Sequence, residues 1–226
     1  MKLAERLLCF NSECAVRYAL RLGTSRSVLS RRHFFRNSSA TCVATLEGHR
    51  NLDNFVKFNR YLVNSVAFHP TTPLLATGSD DCTVKLWLLS SDNSSATCVA
   101  TLAGHSGYVW SVVFHPTAPL LATGSEDDTV RLWLLSSDNS SATCVATLEG
   151  HSDIVTSVAF HPTAPLLATG SDDNTVRLWL LSSDNSSATC VATLKGHSSF
   201  VLSVVFHPTA PLLVSCSKDN TVKMWR

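Results

Sequence analysis

One text is written out and begun again in residues 150–226, with a period of 46 residues. Gly150-His151 opens it, VTSVAFHP follows at 155–162, PLLATGS at 165–171 and DNTVRLW at 173–179, and the text restarts at Gly196-His197. Trp87, Trp133, Trp179 and Trp225 keep the same spacing, as do Asp81, Asp127, Asp173 and Asp219. A repeat of this length is one supersecondary unit that cannot bury its own apolar faces, so it must stack on its neighbours.

Each unit holds four short runs separated by turn chemistry. In the third unit these are VTSVAF (155–160), LLATGS (166–171), TVRLWLL (175–181) and ATCVATL (188–194), here named strands a, b, c and d. They are short and rich in Val, Thr, Leu, Phe and Trp, which favours strand over helix. The breaks between them, His-Pro-Thr-Ala-Pro, Ser-Asp-Asp-Asn, Ser-Ser-Asp-Asn-Ser-Ser and Lys-Gly-His-Ser, are turn material. Four strands every 40-odd residues, with Gly-His before the first and Trp in the third, mark a blade of a β-propeller. The expected fold is all-β, with four four-stranded antiparallel blades over residues 37–226.

The recurring Gly-His, strand-b hydroxyl, b–c turn Asp and strand-c Trp resemble the WD40 repeat family. In that family the four side chains form a hydrogen-bonded tetrad. The resemblance implies tetrads His49/Thr77/Asp81/Trp87, His105/Thr123/Asp127/Trp133, His151/Thr169/Asp173/Trp179 and His197/Ser215/Asp219/Trp225. The Asp that follows the Trp in the family is replaced here by Leu88, Leu134 and Leu180. A hydroxyl, a His and an Asp also suggest a hydrolase triad. A set copied into every unit, however, meets the fold's need to satisfy buried polar groups rather than the need for one strained nucleophile. No enzyme is expected, and no cofactor.

Charge is uneven. Residues 1–36 carry eight basic and two acidic side chains, whereas residues 37–226 carry ten basic and fifteen acidic. The repeats therefore offer no broad basic field for nucleic acid. No apolar run approaches the ~18–20 residues of a membrane span. The Arg- and Ser-rich leader 1–36, with helical spacing over Leu3–Phe10 and Cys14–Leu22, fits three readings: a mitochondrial presequence, a loosely ordered tail, or a misplaced gene start. A cytoplasmic protein is expected, or a mitochondrial one if the leader is a presequence. Cys42, Cys98, Cys144 and Cys190 share one position of strand d without metal-ligand spacing, so buried thiols in a reducing compartment are expected. The Asn-Ser-Ser acceptors at Asn37, Asn93, Asn139 and Asn185 would then meet no glycosylation machinery. His69, His115, His161 and His207, each before Pro, read as turn residues.

Residues 37–47 read as a strand d with no blade before it, and the last unit has strands a, b and c only. Four blades are few for a ring of the resembled family, and an open arc would leave two apolar faces in water. If each exposes about 400 Å², the cost is on the order of 10 kcal/mol per face at ~25 cal/mol/Å². A homodimer of four plus four blades, with 40–46 completing the partner's last blade, is the first expectation. A closed four-blade monomer and a truncated product are the alternatives.

Units 104–149 and 150–195 differ at seven positions, and all but Val113/Ala159 fall in the loop entering strand a, at that strand's start, or in the b–c turn. Both loops leave the same edge of an antiparallel blade. Variation on one rim of a uniform scaffold suits a binding surface. The candidate partner-binding residues are Leu62, Tyr108, Ile154 and Phe200, then Asn64, Trp110, Thr156 and Leu202, with Asp80, Glu126, Asp172 and Lys218 in the turns. The insert 50–59 lies on the same rim. A scaffold that binds protein or peptide segments is expected. The alternatives are a lectin holding sugar between blades and a recently amplified repeat without a settled role.

Overall fold

A computed structural model describes residues 42–49 and 62–226. All of these except Cys42 belong to the compact unit Val43–Arg226. The leader 1–36 and the insert 50–59 lie outside the described residues.

Every described element is a strand. The first blade is built from β1 (Val63–Phe68), β2 (Leu74–Ser79), β3 (Val84–Leu89) and β4 (Ala96–Leu102). The second holds β5 (Val109–Phe114), β6 (Leu120–Ser125), β7 (Val130–Leu135) and β8 (Ala142–Leu148), and the third β9 (Val155–Phe160), β10 (Leu166–Ser171), β11 (Thr175–Leu181) and β12 (Ala188–Lys195). The fourth has β13 (Val201–Phe206), β14 (Leu213–Ser217) and β15 (Val222–Trp225). Each blade is an antiparallel meander in chain order, so three blades have four strands and the last has three. The expected all-β, four-blade fold is present, and within it residues 42–49, the described part of the segment read as a strand d, lie outside the strands.

The turns explain the meander. In the b–c turns Asp128, Asn174 and Asn220 sit at φ 64–69°, and in the c–d loops Asn93, Asn139 and Asn185 at 55–57°. Asn and Asp tolerate this left-handed region best among non-glycine residues. Cys82 occupies the same turn position in the first blade at φ 62°. The c–d loop is closed by its own serines: Ser136 Oγ donates to Asp138 and Ser136 N–H donates to Ser141 O. Hydrogen bonds to Asp138, from the Ser136 hydroxyl foremost and then from Ser140, hold this exposed carboxyl down at about 2.

Blades stack with strand a of each beside strand a of the next, β1 by β5, β5 by β9 and β9 by β13. At the first junction Leu74, Ala76, Val84 and Leu86 of one blade bury against Val109, Val112 and Phe114 of the next. The approach is close enough that a Cβ at Gly124 would fall 2.8 Å from Val155 Cγ1, so strand b keeps glycine where the next strand a crosses it. The sheets do not close into a ring. Val63, Val66 and Phe68 on the first blade are 50–61% exposed, whereas Val109, Val112 and Phe114, their counterparts one blade on, are at most 6% exposed.

The cysteines depart from expectation. Cys98 is exposed and Cys144 and Cys190 are half-buried, because strand d is the outer edge of each blade and has no neighbour beyond it.

Candidate functional site

Each blade carries one chain of hydrogen bonds from its Trp to its Asp. In the second, Trp133 Nε1–H donates to Thr123 Oγ1 at 3.0 Å, Thr123 faces His105 Nε2 at 2.7 Å, and His105 Nδ1 faces Asp127 Oδ2 at 2.8 Å. One proton arrangement gives every group a partner: the hydroxyl donates to Nε2, and Nδ1–H donates to the carboxylate. The third blade repeats this through Trp179, Thr169, His151 and Asp173 at 2.9, 2.7 and 2.7 Å. The first uses Trp87, Thr77, His49 and Asp81 at 2.8, 2.7 and 2.8 Å, and the fourth uses Trp225, Ser215, His197 and Asp219 at 2.9, 2.8 and 2.8 Å.

The Asp also fastens its own turn. Asp127 accepts the backbone N–H and hydroxyl of Thr129 at Oδ1 and the N–H of Ser106 at Oδ2. Burial pushes the Asp127 and Asp173 carboxyls up, but hydrogen bonds from His and Thr outweigh it and hold both below the usual carboxylate range. Asp81 is lowered by the same balance, and Asp219 chiefly by its bond from Thr221. Thr123 and Thr169 are fully buried, so no substrate reaches the hydroxyl and the set ties strands b and c to the loop before strand a. Among the described residues, no group of His, Cys, Asp and Glu is placed to hold a metal ion.

The strand-a-entry loops and the b–c turns meet on one rim through a repeated backbone bond. Asp80 N–H donates to Leu62 O at 3.0 Å, Glu126 to Tyr108 O at 2.9 Å, Asp172 to Ile154 O at 2.9 Å, and Lys218 to Phe200 O at 2.8 Å. The main chain at these four places is therefore the same while the side chains differ. Leu62, Glu126 and Lys218 are exposed, and Tyr108, Ile154 and Phe200 are half-buried. Lys218 Nζ stands 5.5 Å from the centre of the Phe200 ring. Asp80 is engaged by Leu62 N–H and Asn64 Nδ2, and Asp172 is buried.

The four positions that follow, Asn64, Trp110, Thr156 and Leu202, sit where the a–b register slips by one residue. Such a bulge re-aims its side chain. Asn64 Nδ2 donates to Val109 O, and Thr156 Oγ1 donates its one proton to Val201 O at 2.5 Å and stands 3.1 Å from Gly170 O. These two side chains therefore serve the junction with the next blade, and Trp110 and Leu202 at the same place are half-buried.

Two serine sets escaped the sequence reading. Ser65, Ser111 and Ser157 on strand a accept the N–H of Val112, Val158 and Val204 in the following blade at 3.0–3.2 Å. Ser125, Ser171 and Ser217, ending strand b, donate to Gly107, Asp153 and Ser199 carbonyls at 2.8–3.0 Å and pin the rim loop. Their recurrence at the 46-residue period was the available signal.

On the opposite rim His115 Nδ1 accepts the N–H groups of Thr117 and Ala118, and its ring meets Phe160 of the next blade edge-on at 4.8 Å. Burial lowers the affinity of this imidazole, and of His69 and His161, for a proton. A shallow cleft lies between the first two blades here, lined by His69, Pro70, His115, Pro116, Ser136 and Asn139 among others.

Stacked antiparallel sheets, each pinned by a Trp-to-Asp relay through a buried hydroxyl and His, define a repeat protein of the β-propeller class. Within that class, the family described as "WD domain, G-beta repeat" matches residues 40–87, 96–133, 142–179 and 188–226, and the chain belongs to it. Shorter stretches resemble longer proteins. The nuclear distribution protein PAC1 of Scheffersomyces stipitis is 36% identical over 86 residues, which is 37% of this chain and 14% of that protein. PAC1 of Debaryomyces hansenii is 37% identical over 75 residues, 32% of this chain and 12% of that one. Nuclear distribution protein nudF of Aspergillus flavus is 48% identical over 48 residues, 21% of this chain and 10% of that one. The likeness thus takes in only 10–14% of these relatives' length.

Proposed function

We propose that the chain is a non-catalytic scaffold that binds protein or peptide segments on the rim formed by the strand-a-entry loops and the b–c turns. The observation that supports it most is one backbone clamp carrying four different side chains, Leu62, Tyr108, Ile154 and Phe200, opposite Asp80, Glu126, Asp172 and Lys218. Packing alone would have kept one residue at a place whose main chain never changes, and aromatic anchors beside charges are typical of interaction hot spots. Among the described residues no helix is long and apolar enough to cross a membrane.

The test borrows residues the fold already tolerates. Tyr108→Ile with Trp110→Thr gives the second blade the third blade's residues at these two rim positions. Partner capture in a pull-down should fall at least tenfold while the far-UV spectrum and the unfolding midpoint stay in place. Undiminished capture would remove the rim from consideration. A sugar-binding reading draws on the cleft between His69 and His115, whose lining recurs along the chain. A glycan array without signal would dismiss it.

A further inference from the structure

Three histidines on the a–b rim share one arrangement that the scaffold reading does not use. His69 Nδ1 accepts the N–H groups of Thr71 and Thr72 at 3.3 and 3.1 Å, His115 those of Thr117 and Ala118 at 3.1 and 2.8 Å, and His161 those of Thr163 and Ala164 at 3.1 and 2.8 Å. A ring nitrogen that accepts two N–H groups carries no proton, so each ring is neutral with its proton on Nε2. Each also meets a phenylalanine of the following blade edge-on, Phe114, Phe160 and Phe206 at 5.0, 4.8 and 4.9 Å. One side chain therefore ties its own turn and touches the next blade. The turn in its place reaches the c–d loop, because Pro119 O accepts the N–H of Leu135, as Pro73 O and Pro165 O accept those of Leu89 and Leu181.

We propose that these histidines form a proton-operated latch: neutral, they hold the a–b turns shut against the next blade, and a proton taken up at Nδ1 opens the turns on this rim alone. The added proton turns an acceptor into a donor, so two backbone N–H groups lose their partner and face a third N–H. The imidazolium finds little to balance its charge. The turns 69–73, 115–119 and 161–165 hold no other ionisable side chain, and neither do β5, β9 and β13, which carry the phenylalanines. The c–d loops on this rim carry Asp92, Asp138 and Asp184, each already bound by the hydroxyls of the serines two places before and after it. His69 and His115 line one cleft, so their charges oppose each other, and His207 follows His161 one blade on.

The pH at which the latch works follows from the same surroundings. Burial lowers the proton affinity of all three rings below the ordinary 6.5. The shut turns are therefore fully favoured above that value and lose ground as pH falls through the lowered ones, because the opened rings take up protons more readily. The other rim does not follow over this interval. Its loops are fastened to Asp127 and Asp173, whose carboxyls are held below the usual carboxylate range and keep their charge. Mild acid thus reshapes the cleft between His69 and His115 and spares the tetrads.

Imidazole nitrogen spectra and amide hydrogen exchange on the 226-residue protein test the latch. At about pH 7.5 His69, His115 and His161 should appear as the Nε2–H form. From about pH 7 to about pH 5, exchange protection of Ala118, Leu135, Ala164 and Leu181, corrected for the intrinsic rate, should fall roughly tenfold. Ser106 and Thr129, bound to Asp127 on the other rim, should keep theirs. Asn places Oδ1 where histidine places Nδ1 and takes no proton. In the triple variant His69→Asn, His115→Asn and His161→Asn the turn amides should therefore stay protected at both pH values. Where the triple variant does not fold, His161→Asn alone should protect Ala164 and Leu181 in acid and leave Ala118 and Leu135 to open in the same molecule. An Nδ1–H form at neutral pH, turn protection that does not fall in acid, a loss shared equally by both rims, or Asn variants that open as the parent does would overturn the latch. None of these positions lies on the partner-binding rim, so failure here leaves the scaffold reading standing.

Discussion

At the scale of single residues, the tetrad is a closed ledger of donors and acceptors. Thr169 accepts Trp179 Nε1–H and faces His151 Nε2 at full burial. Thr169→Val keeps the shape and strands both neighbours, at about 1–3 kcal/mol for each buried group left unsatisfied. A loss of about 2–4 kcal/mol is expected in urea unfolding, with the slope unchanged. Thr169→Ser, the solution of the fourth blade at Ser215, should cost only about 1 kcal/mol for the lost methyl. The carboxyls add a pH dependence. Asp127 and Asp173 titrate in the fold below the ordinary 3.8, so their contribution is complete above that value and is lost as pH falls through the lowered ones. Asp128 runs the other way, raised by burial and by Asp153, Asp127 and Asp173, and offsets part of this. The carboxyl share of the unfolding free energy should therefore hold from pH 7 to about 5 and decline below. The double change Asp127→Asn with Asp173→Asn should lower the plateau and flatten the decline; an unchanged profile would show that these carboxyls carry no linkage.

At the scale of the strand, Ser111→Ala separates sheet from stack. The hydroxyl accepts Val158 N–H across the junction, while its own strand pairs with β6 through backbone alone. The substitution should cost about 1–2 kcal/mol and speed hydrogen exchange at Val158 more than at Val113. Equal acceleration at both would mean the bond does not act on the junction. This element was only half legible beforehand. Runs such as LLATGS and VTSVAF announced their strands, because alternation and bracketing turns are local properties. The bulge at Asn64, Trp110, Thr156 and Leu202 was not, because a register slip depends on which residue faces which across two strands. That slip turns Asn64 and Thr156 toward the neighbouring blade, although both had been read as partner-facing.

At the scale of the whole molecule, stability should be graded along the stack, since each blade touches only its neighbours. Amides of β1 and β15 should exchange fastest and those of β6 and β10 slowest. A uniform pattern would point to one cooperative unit. The sequence by itself determined the blade, its period and the members of each tetrad, because a repeat compares a chain with itself and displays every position that cannot vary. Only the tertiary structure decided which serines bridge blades, that the strand-d cysteines lie toward solvent on an outer edge, and that the first and last blades keep their apolar faces open. Those outcomes depend on what stands next to a residue in space, and a period of 46 residues assigns the same letter to a face whether or not anything covers it.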